Sequence, residues 1–120
     1  MVGRLTTHVL DTMQGRPAAD IPIQLWQLEA EGTQRSLLKV TRTNSDGRTP
    51  EALLEGHQLI VGRYELLFAV GAYFIAQAVP LTDPLFLDEV PIRFGIADPM
   101  AHYHIPLLIS PWAYSTYRGS

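Results

Sequence analysis

Four histidines and one well-placed cation carry most of the chemistry this chain can offer: His8, His57, His102 and His104, with Arg48 directly after an Asp46-Gly47 turn. Histidine has a reference pKa of about 6.5, which suits it to moving protons near neutral pH. A positioned imidazole can take a proton from water or return one to a leaving group. Arginine is always charged and presents a planar fork of donors to an anion or an electron-rich ring. His102 and His104 stand two residues apart, so in a strand they share a face. His8 lies mid-strand beside Thr6 and Thr7. His57, in the polar run Glu55-Gly56-His57-Gln58, reads as solvated. Taken singly, a strand histidine is ordinarily a satisfied structural residue, and an arginine leaving a turn is ordinarily solvated. Three histidines in two apolar strands are less ordinary, though two strands need not be neighbours.

The His-x-His spacing admits a second chemistry. His8, His102 and His104 could ligate zinc, with water completing a tetrahedron. Against this, residues 101–120 contain no carboxylate to hold the rings. A nucleophilic serine is poorly supported, because Ser110 and Ser115 lack a Gly-x-Ser-x-Gly context. Ser120 could act only as a hydrogen-bonding group or a minor proton relay. The absence of cysteine excludes thiolate catalysis, disulfides and cysteine-based zinc sites.

The elements that would position these residues read as short strands. Residues 4–11 alternate, with Leu5, Thr7 and Val9 on one face and Thr6, His8 and Leu10 on the other. Residues 11–20 hold Gly15 and Pro17 and read as loop. Residues 21–28 form a second strand and 36–43 a third, separated by a polar turn. Asn44-Ser45-Asp46-Gly47 is a strong turn because Asp-Gly supplies positive φ. Residues 50–54 read as one helical turn or loop. Strand material at 58–61 and 63–70 is interrupted at Gly62. Residues 71–79 hold three alanines without alternation, which predicts a short helix. Residues 90–96 are strand-like, with Pro91 near the start or an edge. Residues 102–109 and 112–118 form a hairpin-like pair divided at Ser110-Pro111.

The final segment departs from the polar, frayed ends that chains usually have. It is rich in β-favouring aromatic residues, Trp112, Tyr114 and Tyr117, whose apolar bodies and polar tips suit clefts and interfaces. The expectation is a tail paired in a sheet, with its last residues facing a site. Seven or eight strands with turn signals about every ten residues, plus one short helix, predict an all-β two-sheet sandwich.

Composition sets bounds. A chain of 120 residues predicts a single domain, residues 1–120, with a core of its own. Charged residues make up 18%, below the usual ~25%, which suggests surface covered by partner subunits. With a net charge of −3 and Lys39 the sole lysine, nucleic acid is not an expected partner. No apolar run is long enough to span a membrane, and the N-terminus lacks a signal-peptide pattern. A cytoplasmic location is the expectation.

Four segments together carry a resemblance: Leu5-Thr6-Thr7-His8-Val9-Leu10-Asp11, Asp46-Gly47-Arg48, His102-Tyr103-His104-Ile105-Pro106-Leu107-Leu108, and Tyr114-Ser115-Thr116-Tyr117-Arg118-Gly119-Ser120. The sequence resembles the 5-hydroxyisourate hydrolases, the transthyretin-related proteins, over essentially its whole length. The terminal Tyr-Arg-Gly-Ser is the most specific part, since transthyretin itself lacks that ending and the histidines. The resemblance implies a prealbumin-like sandwich, assembled as a homotetramer of two dimers with active sites in a central channel. It implies hydrolysis of 5-hydroxyisourate in urate degradation, without cofactor or metal. His8, Arg48, His104 and Ser120 would be catalytic; His8, Arg48 and Tyr117 would bind substrate; His102 and Arg118 would support the site. A transthyretin-like carrier of an aromatic ligand and a histidine-ligated metallohydrolase remain the alternatives.

Overall fold

The structure, a computed structural model, describes residues 2–119. In chain order its elements are β1 (Arg4–Asp11), β2 (Arg16–Pro17), β3 (Pro22–Leu28), β4 (Arg35–Arg42), β5 (Leu54–Glu55), a 3-10 turn (Gly56–Gln58), β6 (Gly62–Phe68), α1 (Val70–Ala76), β7 (Val90–Ile96), β8 (His102–Ile109) and β9 (Tyr114–Thr116). One sheet runs β2-β1-β8-β9, with β5 also pairing on β1; the other runs β4-β3-β6-β7. All pairings are antiparallel except β1 with β8, which run parallel in unbroken register from Arg4 opposite His102 to Asp11 opposite Ile109.

Alternation sets the layers. Leu5 and Val9 from β1 and Tyr103, Ile105, Leu107 and Ile109 from β8 turn inward. They meet Ile23, Leu25, Tyr64, Leu66 and Phe68 of the opposite sheet in one continuous core. Thr7 also faces inward, where its hydroxyl donates to the Ile105 carbonyl at 2.7 Å and is satisfied. The outer face of the same two strands is left to Thr6, His8, His102 and His104.

The two-sheet sandwich with a short helix matches the sequence expectation, with local differences, among them a last strand confined to Tyr114–Thr116 instead of 112–118. Among the described residues there are nine strands rather than seven or eight, because two-residue β2 and β5 pair on β1. Residues 58–61 are not strand: Gly56–Gln58 forms a 3-10 turn, with the Glu55 N–H donating to the Gln58 side chain at 3.0 Å. The helix starts at Val70 and ends at Ala76, short of 79. Pro91 falls on edge strand β7, where a missing N–H is tolerated.

The far end of β1 is anchored by a buried carboxylate. One oxygen of Asp11 accepts the backbone N–H groups of Met13 and Gln14 at 3.0 and 2.9 Å. The other accepts the Gln14 amide and, at 2.8 Å, the Tyr73 hydroxyl from α1. Burial, reinforced by the Asp11 carboxylate, pushes the Tyr73 pKa up to about 12. Asp11→Ala leaves these donors without an acceptor, and is expected to destabilise the protein by about 3 kcal/mol in urea unfolding. A loss below about 0.5 kcal/mol, the scale of an ordinary surface change, would show that the anchor is dispensable.

Candidate active site

The turn after β4 crosses to the other sheet and seats itself against β1. Asn44 organises it: its side-chain oxygen accepts from the N–H groups of Asp46 and Arg48 at 2.9 and 3.2 Å. Gly47 has φ +76°, and a Cβ there would lie 2.3 Å from the Val9 carbonyl oxygen. Only glycine combines that backbone with so close an approach. The Val9 N–H donates to the Gly47 carbonyl at 2.8 Å, and His8 forms a β-bridge with Arg48. Arg48 is thereby placed beside the outer face of β1.

His8 is fixed from the same turn. Its Nε2 lies 2.8 Å from the Asp46 carbonyl oxygen. A carbonyl only accepts, so Nε2 carries the proton and donates, leaving Nδ1 bare in the neutral ring.

The parallel register sets Thr6 opposite His104. The Thr6 hydroxyl is 2.8 Å from Nδ1 of His104 and 2.9 Å from Nε2 of His102. These contacts, with Arg4, Arg48 and the segment Thr49-Pro50-Glu51-Ala52, line an open cleft of about 380 Å³. That volume suits a small ligand. His104 is half-buried there. Burial first, then the charges of Arg48, His102 and His8, lowers its pKa below 6.5, so at neutral pH it is an uncharged imidazole able to accept a proton.

The tail pairs in the sheet as expected, and its Gly119 reaches His104. β9 pairs with β8, the Gly119 N–H donates to the His104 carbonyl at 2.7 Å, and the two residues form a bridge. A Cβ on Gly119 would fall 2.7 Å from Cδ2 of His104, so the tail lies directly on the imidazole. No local pattern in the sequence gives Gly119 or Thr6 a role; for Thr6 the available signal is its place two residues before His8, on the same face.

The structure therefore brings Arg48, His102 and His104 into one cleft, with His8 bridged to Arg48 beside it. Tyr117 and Arg118 are not in this cleft. Together with Thr116 they border a second one lined by β7, Tyr103 and Ile105, where the Arg118 guanidinium sits 4.2 Å above the Tyr103 ring. Ser120 lies outside the described residues. His57 is exposed, as expected. Among the described residues no group of three His, Cys, Asp or Glu side chains is arranged to hold a metal ion. No helix among them is long and apolar enough to cross a membrane.

A prealbumin-type sandwich carrying imidazoles, a hydroxyl and a guanidinium on the outer face of one sheet defines a class equipped for proton transfer on a small polar molecule. The chain belongs to the HIUase/Transthyretin family, whose model matches residues 5–119. It is 57% identical over 119 residues to the 5-hydroxyisourate hydrolase of Ralstonia nicotianae, covering 99% of this chain and 100% of that one. Among solved structures it resembles an (S)-allantoin synthase at 45% identity with a TM-score of 0.93. That match covers 99% of this chain but 44% of the other, so the chain spans under half of that protein. Sea bream transthyretin in complex with thyroxine superposes with a TM-score of 0.85 at 25% identity, over 97% of this chain and 94% of that one.

Proposed function

We propose that the protein is a 5-hydroxyisourate hydrolase that opens the six-membered ring by adding water at a ring carbonyl, giving 2-oxo-4-hydroxy-4-carboxy-5-ureidoimidazoline. One observation carries the reading: a neutral, half-buried His104 shares a cleft with Arg48, in a chain 57% identical along its length to a hydrolase of that name. His104 takes a proton as the water oxygen bonds to the carbonyl carbon. The Arg48 guanidinium faces the oxyanion of the tetrahedral intermediate. The ring C–N bond then breaks, and the imidazolium returns its proton to the departing nitrogen. His8, its Nε2–H committed to Asp46, offers Nδ1 as the acceptor that orients the water or a substrate N–H. Ser120 completes the proton network. In this reading the reaction needs no cofactor, because an activated carbonyl hydrolyses without one.

The assembly in this reading is a homotetramer, a dimer of dimers, with the cleft opening on a channel between dimers. Trp112 and Tyr117, each 60% exposed, and the outer edges of β7 and β9 support burial against further copies. Tyr117 then contacts substrate from such an interface, and Arg118 braces it through Tyr103.

The test is to generate 5-hydroxyisourate in situ from urate and follow its loss with purified protein. Accelerated loss, unaffected by a chelator, is the expected result. Binding without acceleration overturns the reading in favour of a carrier, and activity abolished by chelation and restored by zinc overturns it in favour of a metallohydrolase. Gly119→Ala is expected to lower turnover about 10-fold or more with an unchanged circular dichroism spectrum, since small displacements of a reacting group are costly. Turnover equal to wild type would mean that the His104 ring does not depend on the tail.

A further inference from the structure

We infer that Thr6 is a positioning residue: its hydroxyl, held between His104 and His102, decides which nitrogen of His104 carries the proton. This rests on the hydrolase reading above, in which His104 is the base.

The number of available protons limits the arrangements. A threonine hydroxyl has one proton to give and lone pairs to receive. The ring nitrogens on either side are 2.8 and 2.9 Å away, so both are engaged, and because the hydroxyl can donate to only one of them, at least one ring donates to the oxygen. A chain of hydrogen bonds can run in two directions, and an oxygen accepting from both rings leaves His104 with the same tautomer as the second of them. If it runs from His102 through Thr6 to His104, Nδ1 of His104 is the acceptor and its single proton sits on Nε2. That ring is a donor and cannot act as a base. If it runs from His104 to Thr6 to His102, Nδ1–H donates to the hydroxyl, the hydroxyl donates to Nε2 of His102, and Nε2 of His104 is a bare lone pair.

The surroundings select the second direction. The charged residues lining the cleft are Arg4, Arg48 and Glu51, two guanidiniums against one carboxylate. Guanidiniums offer only donors, and a positive potential favours a lone pair over an N–H. His8 cannot reverse this, because its Nε2–H is already given to the Asp46 carbonyl. Gly119 lies against Cδ2 of His104 and limits ring rotation, which would otherwise put Cδ2 in place of Nδ1 beside Thr6. Thr6 thus acts on the reaction through His104 and need not touch the substrate.

The test combines a substrate-free readout with kinetics. Nitrogen-15 NMR of the wild-type histidines is expected to show His104 protonated on Nδ1 and bare on Nε2. Thr6→Val keeps the shape and removes the hydroxyl. It is expected to shift His104 toward the Nε2–H form and to lower kcat about 10-fold or more while KM stays within about twofold, because a wrong tautomer disables a base without removing binding contacts. Thr6→Ser is expected to restore both tautomer and rate. Wild-type His104 carrying its proton on Nε2 would overturn the inference whether or not the variants fold. So would a Thr6→Val protein with unchanged tautomer, or a Thr6→Ser protein as slow as Thr6→Val. The NMR result stands apart from the assay: a wild type inactive on 5-hydroxyisourate but with the expected tautomer would refute the function and leave the role of Thr6 intact.

Discussion

His104→Asn is expected to reduce kcat for 5-hydroxyisourate by about 10³-fold, the middle of the range for losing a general base. Asparagine keeps a polar side chain near Thr6 but has no basic nitrogen. Because His104 is only half-buried, the sandwich should survive, which thermal unfolding and gel filtration will check. The pH profile carries the sharper information. His104 must be neutral to act, and burial together with Arg48, His102 and His8 holds its pKa below the ordinary value. Wild-type kcat/KM should therefore be flat around neutrality and fall as pH drops below about 6.5 and through the lowered pKa. That acid limb should be absent from the residual activity of the variant. A variant within fivefold of wild type, or one that keeps the limb, would assign the proton transfer to another group.

Arg48→Ala should cost about 10²–10³-fold, the usual loss when one group stabilising a developing oxyanion is removed. It makes a second, independent prediction. The charge of Arg48 is, after burial, the next largest cause of the low His104 pKa. Removing it relaxes that pKa upward, so the acid limb should move to higher pH. Arg48→Lys should restore the position of the limb, since charge returns, but recover only part of the rate, because an ammonium lacks the planar fork. An Arg48→Ala enzyme with near-native turnover would place the oxyanion elsewhere. A slow enzyme with an unmoved limb would place the guanidinium too far from His104 to matter electrostatically.

Much of this site can be read from local pattern. Period-two alternation puts Thr6 with His8 and His102 with His104 on single faces, and Asp46-Gly47 forms the turn that carries Arg48. Alternation reports which way a side chain points, not which strand lies alongside. The parallel pairing of β1 with β8, which sets Thr6 opposite His104, joins residues 98 apart and leaves no local trace. Hence a threonine that looked like an ordinary β-branched residue proves to sit between two imidazoles. The two-residue strands β2 and β5 leave no pattern in the sequence, because they are held by β1 rather than by their own periodicity. Gly119 is similar: its φ is unremarkable, and the reason for glycine is a ring from another strand. Tyr117 and Arg118 show the converse limit. Their types suit a binding site, yet within one chain they border the cleft by β7, and only an assembly could bring them to the substrate.

The same long-range register has a consequence for biogenesis. No reactive constellation can exist until residues 102–119 have left the ribosome and docked beside a strand made at the start of synthesis. Closing so long a loop is entropically costly and is rewarded late. A nascent chain lacking this segment exposes the whole flank of β1, an open template for strands of other molecules. Newly made protein should thus gain activity abruptly rather than by degrees, and chains stalled short of β8 should aggregate rather than work weakly.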